Sequence, residues 1–234
     1  MIAPQYVWFV WSMILLGIWG VVYALLDHSR RHEMLLVSLV TSLFGLTEPI
    51  FVPAYWNPPS LFNLAHRTGF DIESIIFTFG VAGIASVIYE LVFPVRHVHI
   101  PESERHSYKH RLHFWTIIST PVIFFVLILI APINPIYSFF VATGIGGTLA
   151  LYCRPDLKLK MLTSAFLFTV IYFLYFLTLL AIAPGYVQVV WDLKAISGIL
   201  ILGIPLEEYI FAFCIGLIWS SIYEHIMWYR LKKQ

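Results

Sequence analysis

Apolar stretches recur seven times along the chain, at about 4–26, 33–53, 70–93, 113–131, 135–152, 161–183 and 198–228, with short polar clusters between them. At a rise of about 1.5 Å per residue, a helix of roughly 20 residues crosses the hydrocarbon of a bilayer. The pattern therefore predicts seven membrane-spanning helices. The last stretch is too long for one span. Pro205 suits a first helical turn, where its missing N–H has no partner to lose, so the main seventh helix is expected from near Pro205 to near Trp228. The preceding 195–204 is apolar but too short to cross, and is expected as a re-entrant or interfacial element over a cavity mouth. The longest polar stretch, about 94–112, is expected as a partly ordered link. The first stretch does not have the form of a cleavable signal peptide, because no basic residue precedes it and Arg30 and Arg31 follow it.

The pattern is written twice. Gly69-Phe70-Asp71-Ile72-Glu73-Ser74-Ile75-Ile76-Phe77 returns 134 residues later as Gly203-Ile204-Pro205-Leu206-Glu207-Glu208-Tyr209-Ile210-Phe211, and Ser86-Val87-Ile88-Tyr89-Glu90 as Ser220-Ser221-Ile222-Tyr223-Glu224. At an offset of 127, Gly17-Ile18-Trp19-Gly20 is echoed by Gly144-Ile145-Gly146-Gly147, and Met34-Leu35 by Met161-Leu162. Helices 1–3 thus match helices 5–7 and helix 4 connects them. The expected fold is an all-α seven-transmembrane bundle of two parallel three-helix repeats, 3+1+3, with a first repeat over 1–93, a link and connector helix over 94–132 and a second repeat over 133–234.

Charge adds the orientation. Arg30 and Arg31 follow the first segment, and Arg96, Arg105, Lys109 and Arg111 the third. Arg154, Lys158 and Lys160 follow the fifth, and Arg230, Lys232 and Lys233 the seventh. That is twelve of the fourteen basic residues on one side, with Arg67 and Lys194 on the other. The positive-inside bias places the N-terminus outside and the C-terminus in the cytoplasm of a multi-pass cell-membrane protein. A composition 60% hydrophobic and 12% charged, with mean hydropathy +0.84, excludes an ordinary soluble domain, and a net charge of +1 gives no reason to expect nucleic-acid binding. Cys153 and Cys214 have no partner spacing, so neither a disulfide framework nor a zinc knuckle is expected.

Candidate chemistry rests on carboxylates. Glu48, Glu73, Glu207 and Glu208 all fall toward the outer half, where buried charge requires a cavity or a partner. Glu73, Glu207 and Glu208 also suit first-turn acids that satisfy N–H groups and the helix dipole. Glu48 does not, since it reads as mid-helix beside Pro49. Glu207, Phe211 and Cys214 share a helix face by spacing, as do Glu73, Phe77 and Gly80. Tyr55, Trp56, Phe77, Phe79, Trp191, Tyr209, Phe211 and Phe213 surround these acids, and an aromatic face stabilises a carbocation as it does an ammonium group. Ordinary helix packing and an interfacial aromatic belt account for many such rings.

Pro205-Leu206-Glu207-Glu208 followed by Tyr209-Ile210-Phe211, in a duplicated three-helix unit, resembles the integral-membrane lycopene cyclase domain, known as two-subunit bacterial, fused archaeal and fungal forms. The resemblance covers nearly the whole chain, and its most specific part is the Pro-x-Glu-Glu helix start. Asp71-Ile72-Glu73-Ser74 in the first unit lacks the proline and the second glutamate. The resemblance implies a cofactor-independent isomerisation of a lipophilic carotenoid. An acid protonates the terminal alkene of lycopene, the cation closes a six-membered ring, and a proton is lost to give a β-ionone ring. Glu207 or Glu208 is then the expected proton donor and Glu73 or Glu48 the second acid or acceptor. Phe77, Phe211, Tyr209, Trp56 and Trp191 are the expected substrate-binding residues, with no metal and no cofactor. No Gly-x-Gly-x-x-Gly loop is present for a dinucleotide, and Gly144-Ile145-Gly146-Gly147 reads as helix packing.

Two other readings belong beside this one. His28/His32 and His106/His110 at i, i+4, and His110/His113 at i, i+3, have spacings found in metal sites, as a di-iron hydroxylase would need. Against that, no adjacent His-His pair occurs and Arg105, Lys109 and Arg111 crowd the same loop, so a headgroup-facing surface is simpler. Intramembrane acids on parallel repeats also describe a proton-coupled transporter, with Tyr89-Glu90 and Tyr223-Glu224 at an inner gate. The plainer expectation pairs Glu90 with Arg96 and Glu224 with Arg230. A retinal-binding protein is disfavoured because Lys194 precedes helix 7 and no lysine lies inside it.

Overall fold

The computed structural model describes residues 2–111 and 113–233; the side chains of Lys109 and Lys233, two of the twelve grouped basic residues, lie outside the described residues. Among the described residues, seven helices are long and apolar enough to cross a membrane. They are α1 (Pro4–Leu25), the helical run His28–Phe51 that opens with α2 (His28–Ser42), α3 (Ile72–Val92), α4 (His113–Ile130), α5 (Pro135–Cys153), the run Pro155–Ile182 that contains α6 (Lys158–Ile182), and α7 (Leu206–Met227). Large apolar side chains such as Leu129, Phe166 and Leu43 stand exposed on the outside of the bundle. Such a surface suits hydrocarbon rather than water, and together with the seven apolar helices it marks a multi-pass membrane protein.

The helix starts carry local signals. Pro4 and Pro135 occupy first-turn positions of α1 and α5. Asp27 and Asp71 cap α2 and α3, accepting from Arg30 N at 3.1 Å and Ser74 N at 2.6 Å. α2 corrects the sequence expectation. Its regular part stops at Ser42 and the chain continues as a 3-10 turn, Leu43–Thr47, and a short helix, Glu48–Phe51. Pro49 cannot donate to the i−4 carbonyl, so the helical ladder breaks there. Glu48 therefore begins a short helical piece instead of sitting mid-helix.

α3 packs along α1 and α2, α7 along α5 and α6, and α3 and α7 meet near the centre beside α6. α3 and α7 are the most enclosed helices and α4 the least. The α6–α7 approach depends on Gly216, where an added Cβ would lie 2.7 Å from the Ala165 Cα and from the Ser164 carbonyl oxygen. A Cβ on Gly146 would collide with the Thr120 hydroxyl of α4, so that glycine serves close helix packing.

Two small antiparallel sheets close the ends. β1 (Val95–His99), from the polar link, pairs with β4 (Tyr229–Lys233) beyond α7, in the register His97↔Leu231. At the opposite end, called upper here because α1, α3, α5 and α7 begin there, β2 (Leu200–Ile201) pairs with β3 (Ile204–Pro205). Leu202 and Gly203, at φ 52° and 83°, form its turn, and such a pair of positive φ values suits a tight hairpin. The apolar 195–204 segment is thus a short hairpin, too short and too extended to cross.

Candidate functional site

Two loops are zipped together over the upper end. Asn57 N donates to the Val190 carbonyl at 2.8 Å and Asp192 N to the Tyr55 carbonyl at 3.0 Å, and Trp56 and Trp191 form an antiparallel bridge. This holds the side chains of Tyr55 and Trp191 above the first turn of α7. Glu208 is fully engaged there. Its Oε1 accepts from Tyr55 Oη at 2.5 Å and Trp191 Nε1 at 2.8 Å, and its Oε2 accepts from Tyr172 Oη of α6 at 2.7 Å. Burial, and then the charge of Glu208, keep the Tyr55 phenol well above its ordinary range, so it stays a neutral hydroxyl. An indole N–H only donates, whereas a phenol can also accept. Glu208 Oε2, which accepts a single hydrogen bond, keeps a second lone pair that can carry a proton.

Glu207 points elsewhere, because adjacent helical positions are about 100° apart. Its Oε1 accepts from Tyr137 Oη and from Ser197 N, each at 2.9 Å, tying α5 and the hairpin segment to α7; its Oε2 has no partner. The cavity face of α7 includes Glu208, Phe211, Ile215, Ile218 and Ile222, whereas Glu207, one i, i+4 step from Phe211, does not line the cavity. Tyr209 also lies off this face. It donates to the Ile201 carbonyl at 3.1 Å and stacks on Phe173, pinning the hairpin.

A second group of acids sits at the start of α3. The Glu48 carboxyl lies beside Asp71 and Ser74, and neither of its oxygens has a hydrogen-bond partner of ordinary geometry. Glu73 Oε1 accepts from Leu61 N at 2.7 Å, while Glu73 Oε2 and Asp71 Oδ2 are unpartnered. All three residues are buried. Unpaired carboxyl oxygens away from water are costly, and they occur at this end and again at Glu33 and Glu224 of the lower end.

Glu48 and Glu208 line one cavity of about 420 Å³. Its wall includes Trp11, Trp56, Phe77, Tyr172, Trp191 and Phe211 near the acids. It then runs down α7 to Trp219 and His225, about 25 Å at helical rise. Phe77 stacks on Phe211 with centroids 6.2 Å apart and meets Tyr172 at 6.3 Å, so rings from both halves of the chain form one apolar surface. Of the residues singled out from the sequence, Glu48, Glu208, Tyr55, Trp56, Phe77, Trp191 and Phe211 are brought to this wall. Glu73 and Glu207 sit behind it. Phe79 packs on Trp19 and Phe213 on Phe166, away from it. Tyr172 and Tyr137, which hold the two glutamates, were not singled out; nothing distinguishes them in sequence from other tyrosines of apolar helices.

The lower end carries a buried charge network. Lys160 of α6 contacts Glu90 Oε1 of α3 at 2.7 Å, Glu224 Oε1 of α7 at shorter range, and Glu33 Oε1 of α2 at 3.5 Å. His97 Nε2 of β1 reaches the same three carboxylates at 3.3, 3.0 and 3.6 Å respectively, and Arg30 Nε lies 3.5 Å from Glu90. The expected Glu90–Arg96 and Glu224–Arg230 pairs do not form; Arg230 pairs with Glu104 at 2.6 Å. The reason is geometric: Arg96 and Arg230 lie on the β1–β4 sheet, while both glutamates point into the bundle. The repeat offset contained the signal, since the 127-residue step from Met34 to Met161 also takes Glu33 to Lys160.

An all-helical, multi-pass membrane protein with carboxyl groups in the wall of an apolar, ring-lined cavity is the class these features define. Residues 134–226 match the family model described as Lycopene cyclase. The match spans α5 to the end of α7 and includes Tyr137, Tyr172, Trp191, Glu207 and Glu208. No curated protein and no solved structure matches the chain.

Proposed function

We propose that the chain is a lycopene β-cyclase that closes a β-ionone ring by acid catalysis without change in oxidation state. Glu208 supplies the proton. It adds to the terminal alkene of the linear end group and leaves a tertiary cation. The neighbouring double bond attacks that cation, forms the six-membered ring and moves the charge to a ring carbon. Loss of a ring proton then restores a double bond, so the product is an isomer of the substrate. Glu48, which lies beside Asp71 and Ser74 and lines the same cavity, is the acceptor or second acid. Trp56, Phe77, Trp191 and Phe211 face the migrating charge with their rings.

The observation that carries this reading is that Glu208 and Glu48 share the wall of one long apolar cavity. Three hydrogen bonds fix the Glu208 carboxyl, so it is oriented before substrate arrives. The packing of α3 on α2 and of α7 on α6 supports the duplicated 3+1+3 plan, and the basic residues at the lower end support an external upper end and a cytoplasmic C-terminus. The test is coexpression in a lycopene-accumulating bacterium with chromatographic analysis of the pigment. A product of unchanged mass bearing β-ionone rings is expected. Unaltered lycopene beside abundant membrane-inserted protein contradicts the proposal, and proton-coupled uptake in vesicles would favour a carrier instead.

A further inference from the structure

At the lower end, three donor atoms converge from the link, the start of α4 and the end of α5. One ring nitrogen of His110, one of His113 and Cys153 Sγ all lie within 4.8 Å of one another. Sγ is 3.4 Å from His113 Nδ1 and 3.6 Å from His110 Nδ1. A tetrahedral zinc ion, with zinc–sulfur near 2.3 Å and zinc–nitrogen near 2.0–2.1 Å, holds its sulfur and nitrogen ligands about 3.6 Å apart. The thiol's one proton serves one imidazole, and without an ion the other approach would need an N–H donated to sulfur, a weak acceptor.

The surroundings suit a metal. His113 Nε2 lies 2.9 Å from the His225 carbonyl oxygen, which can only accept, so Nε2 carries the hydrogen and the Nδ1 lone pair faces Sγ. A backbone carbonyl behind a histidine is the usual device that fixes a ligand's tautomer and orientation. Cys153 and His113 are buried, and Trp228 walls the site, its ring 3.9 Å from His113 and 5.2 Å from His110. The neighbouring Arg154 is committed to Asp156 and to the carbonyls of Glu224 and Tyr229. The other convergence of possible ligands, Glu33, Glu90, His97 and Glu224, already holds the Lys160 ammonium as its cation.

We propose that His110, His113 and Cys153 bind a zinc ion, with solvent in the fourth position. One thiolate and two imidazoles match zinc rather than magnesium or calcium, which take oxygen ligands. The ion ties the link to α4 and α5, and through the His225 carbonyl to α7. It is remote from Glu208, so this proposal stands independently of the cyclase reading. Sequence spacing reached only the His110/His113 half, because Cys153 comes from another helix.

The test uses the full chain, purified in detergent from zinc-supplemented cells. Elemental analysis is expected to find about one zinc per chain, falling at least about fivefold in Cys153→Ser and in His110→Ala. Cobalt(II) added to stripped protein is expected to give a thiolate-to-cobalt absorption band that Cys153→Ser lacks. Chelation is expected to lower the Tm of the wild type and leave that of Cys153→Ser unmoved. Two results overturn the proposal: wild-type protein holding less than about a tenth of an equivalent of either metal when supplied, or both variants keeping the wild-type content.

Discussion

Glu208→Gln separates chemistry from folding at this site. The amide keeps the shape of the carboxyl. Its oxygen can still accept from Tyr55 and Trp191, and its NH₂ can donate to Tyr172, whose hydroxyl turns from donor to acceptor. All three contacts survive, so stability is expected to change by less than about 1 kcal/mol. The transferable proton does not survive, because an amide cannot give one to an alkene. General acid catalysis contributes typically 10²–10⁴-fold, so turnover is expected to fall by at least about that range, or about 3–5.5 kcal/mol of barrier. The assay is ring formation from lycopene by purified protein in liposomes, with thermal unfolding measured on the same preparation. Glu207→Gln serves as the comparison. Glu207 lies behind the cavity wall, and its replacement is expected to lower activity far less. A Glu208→Gln protein that keeps more than about a tenth of wild-type turnover, when the acid effect alone is worth at least about 10²-fold, would refute the assignment of the proton donor.

Other expectations concern the scaffold. Lys160→Met leaves Glu33, Glu90 and Glu224 buried around an uncharged side chain, and is expected to cost about 3–5 kcal/mol, read as a large fall in Tm in detergent; an unchanged Tm would contradict the network. Burial alone would push the His97 imidazole down, but hydrogen bonds to Glu224 and Glu90 and the charges of Glu90 and Glu33 outweigh it and hold it up at about 10. Because this folded value lies above the unfolded one, near 6.5, the stabilisation is complete below about pH 6.5 and lost as pH rises through about 10. The ring keeps some contact with water, so about 5 kcal/mol is an upper bound. Tm should fall across that interval in the wild type and much less in His97→Gln. Gly216→Ala places a Cβ against the α6 backbone, which cannot move aside, and is expected to destabilise by about 1–3 kcal/mol in a chemical-denaturation series; a neutral result would mean that α6 and α7 pack less closely.

The seven helices were legible because hydrophobic runs of spanning length leave few alternatives, and Pro205 correctly marked the start of α7. Glu48 was misplaced because the apolar pattern continues smoothly through Pro49, whereas the backbone hydrogen bonds do not. The division of labour between Glu207 and Glu208 was also illegible. Both are first-turn acids, and only the zipped loops carrying Tyr55 and Trp191 decide which faces the cavity. At the lower end, pairing by proximity in sequence failed for Glu90 and Glu224, since buried acids take the partner their helix face meets. That partner is Lys160, counted from sequence merely as one more basic residue beyond a span.

The central claim is that a carboxyl proton starts ring closure in the cavity shared by Glu208 and Glu48. Cyclisation of lycopene in D₂O by the purified protein, followed by mass spectrometry, tests it most directly. Addition of an exchangeable acid proton and loss of a carbon-bound one require a single deuterium for each ring formed. Rings that form without deuterium, or full incorporation by Glu208→Gln protein, would contradict the account.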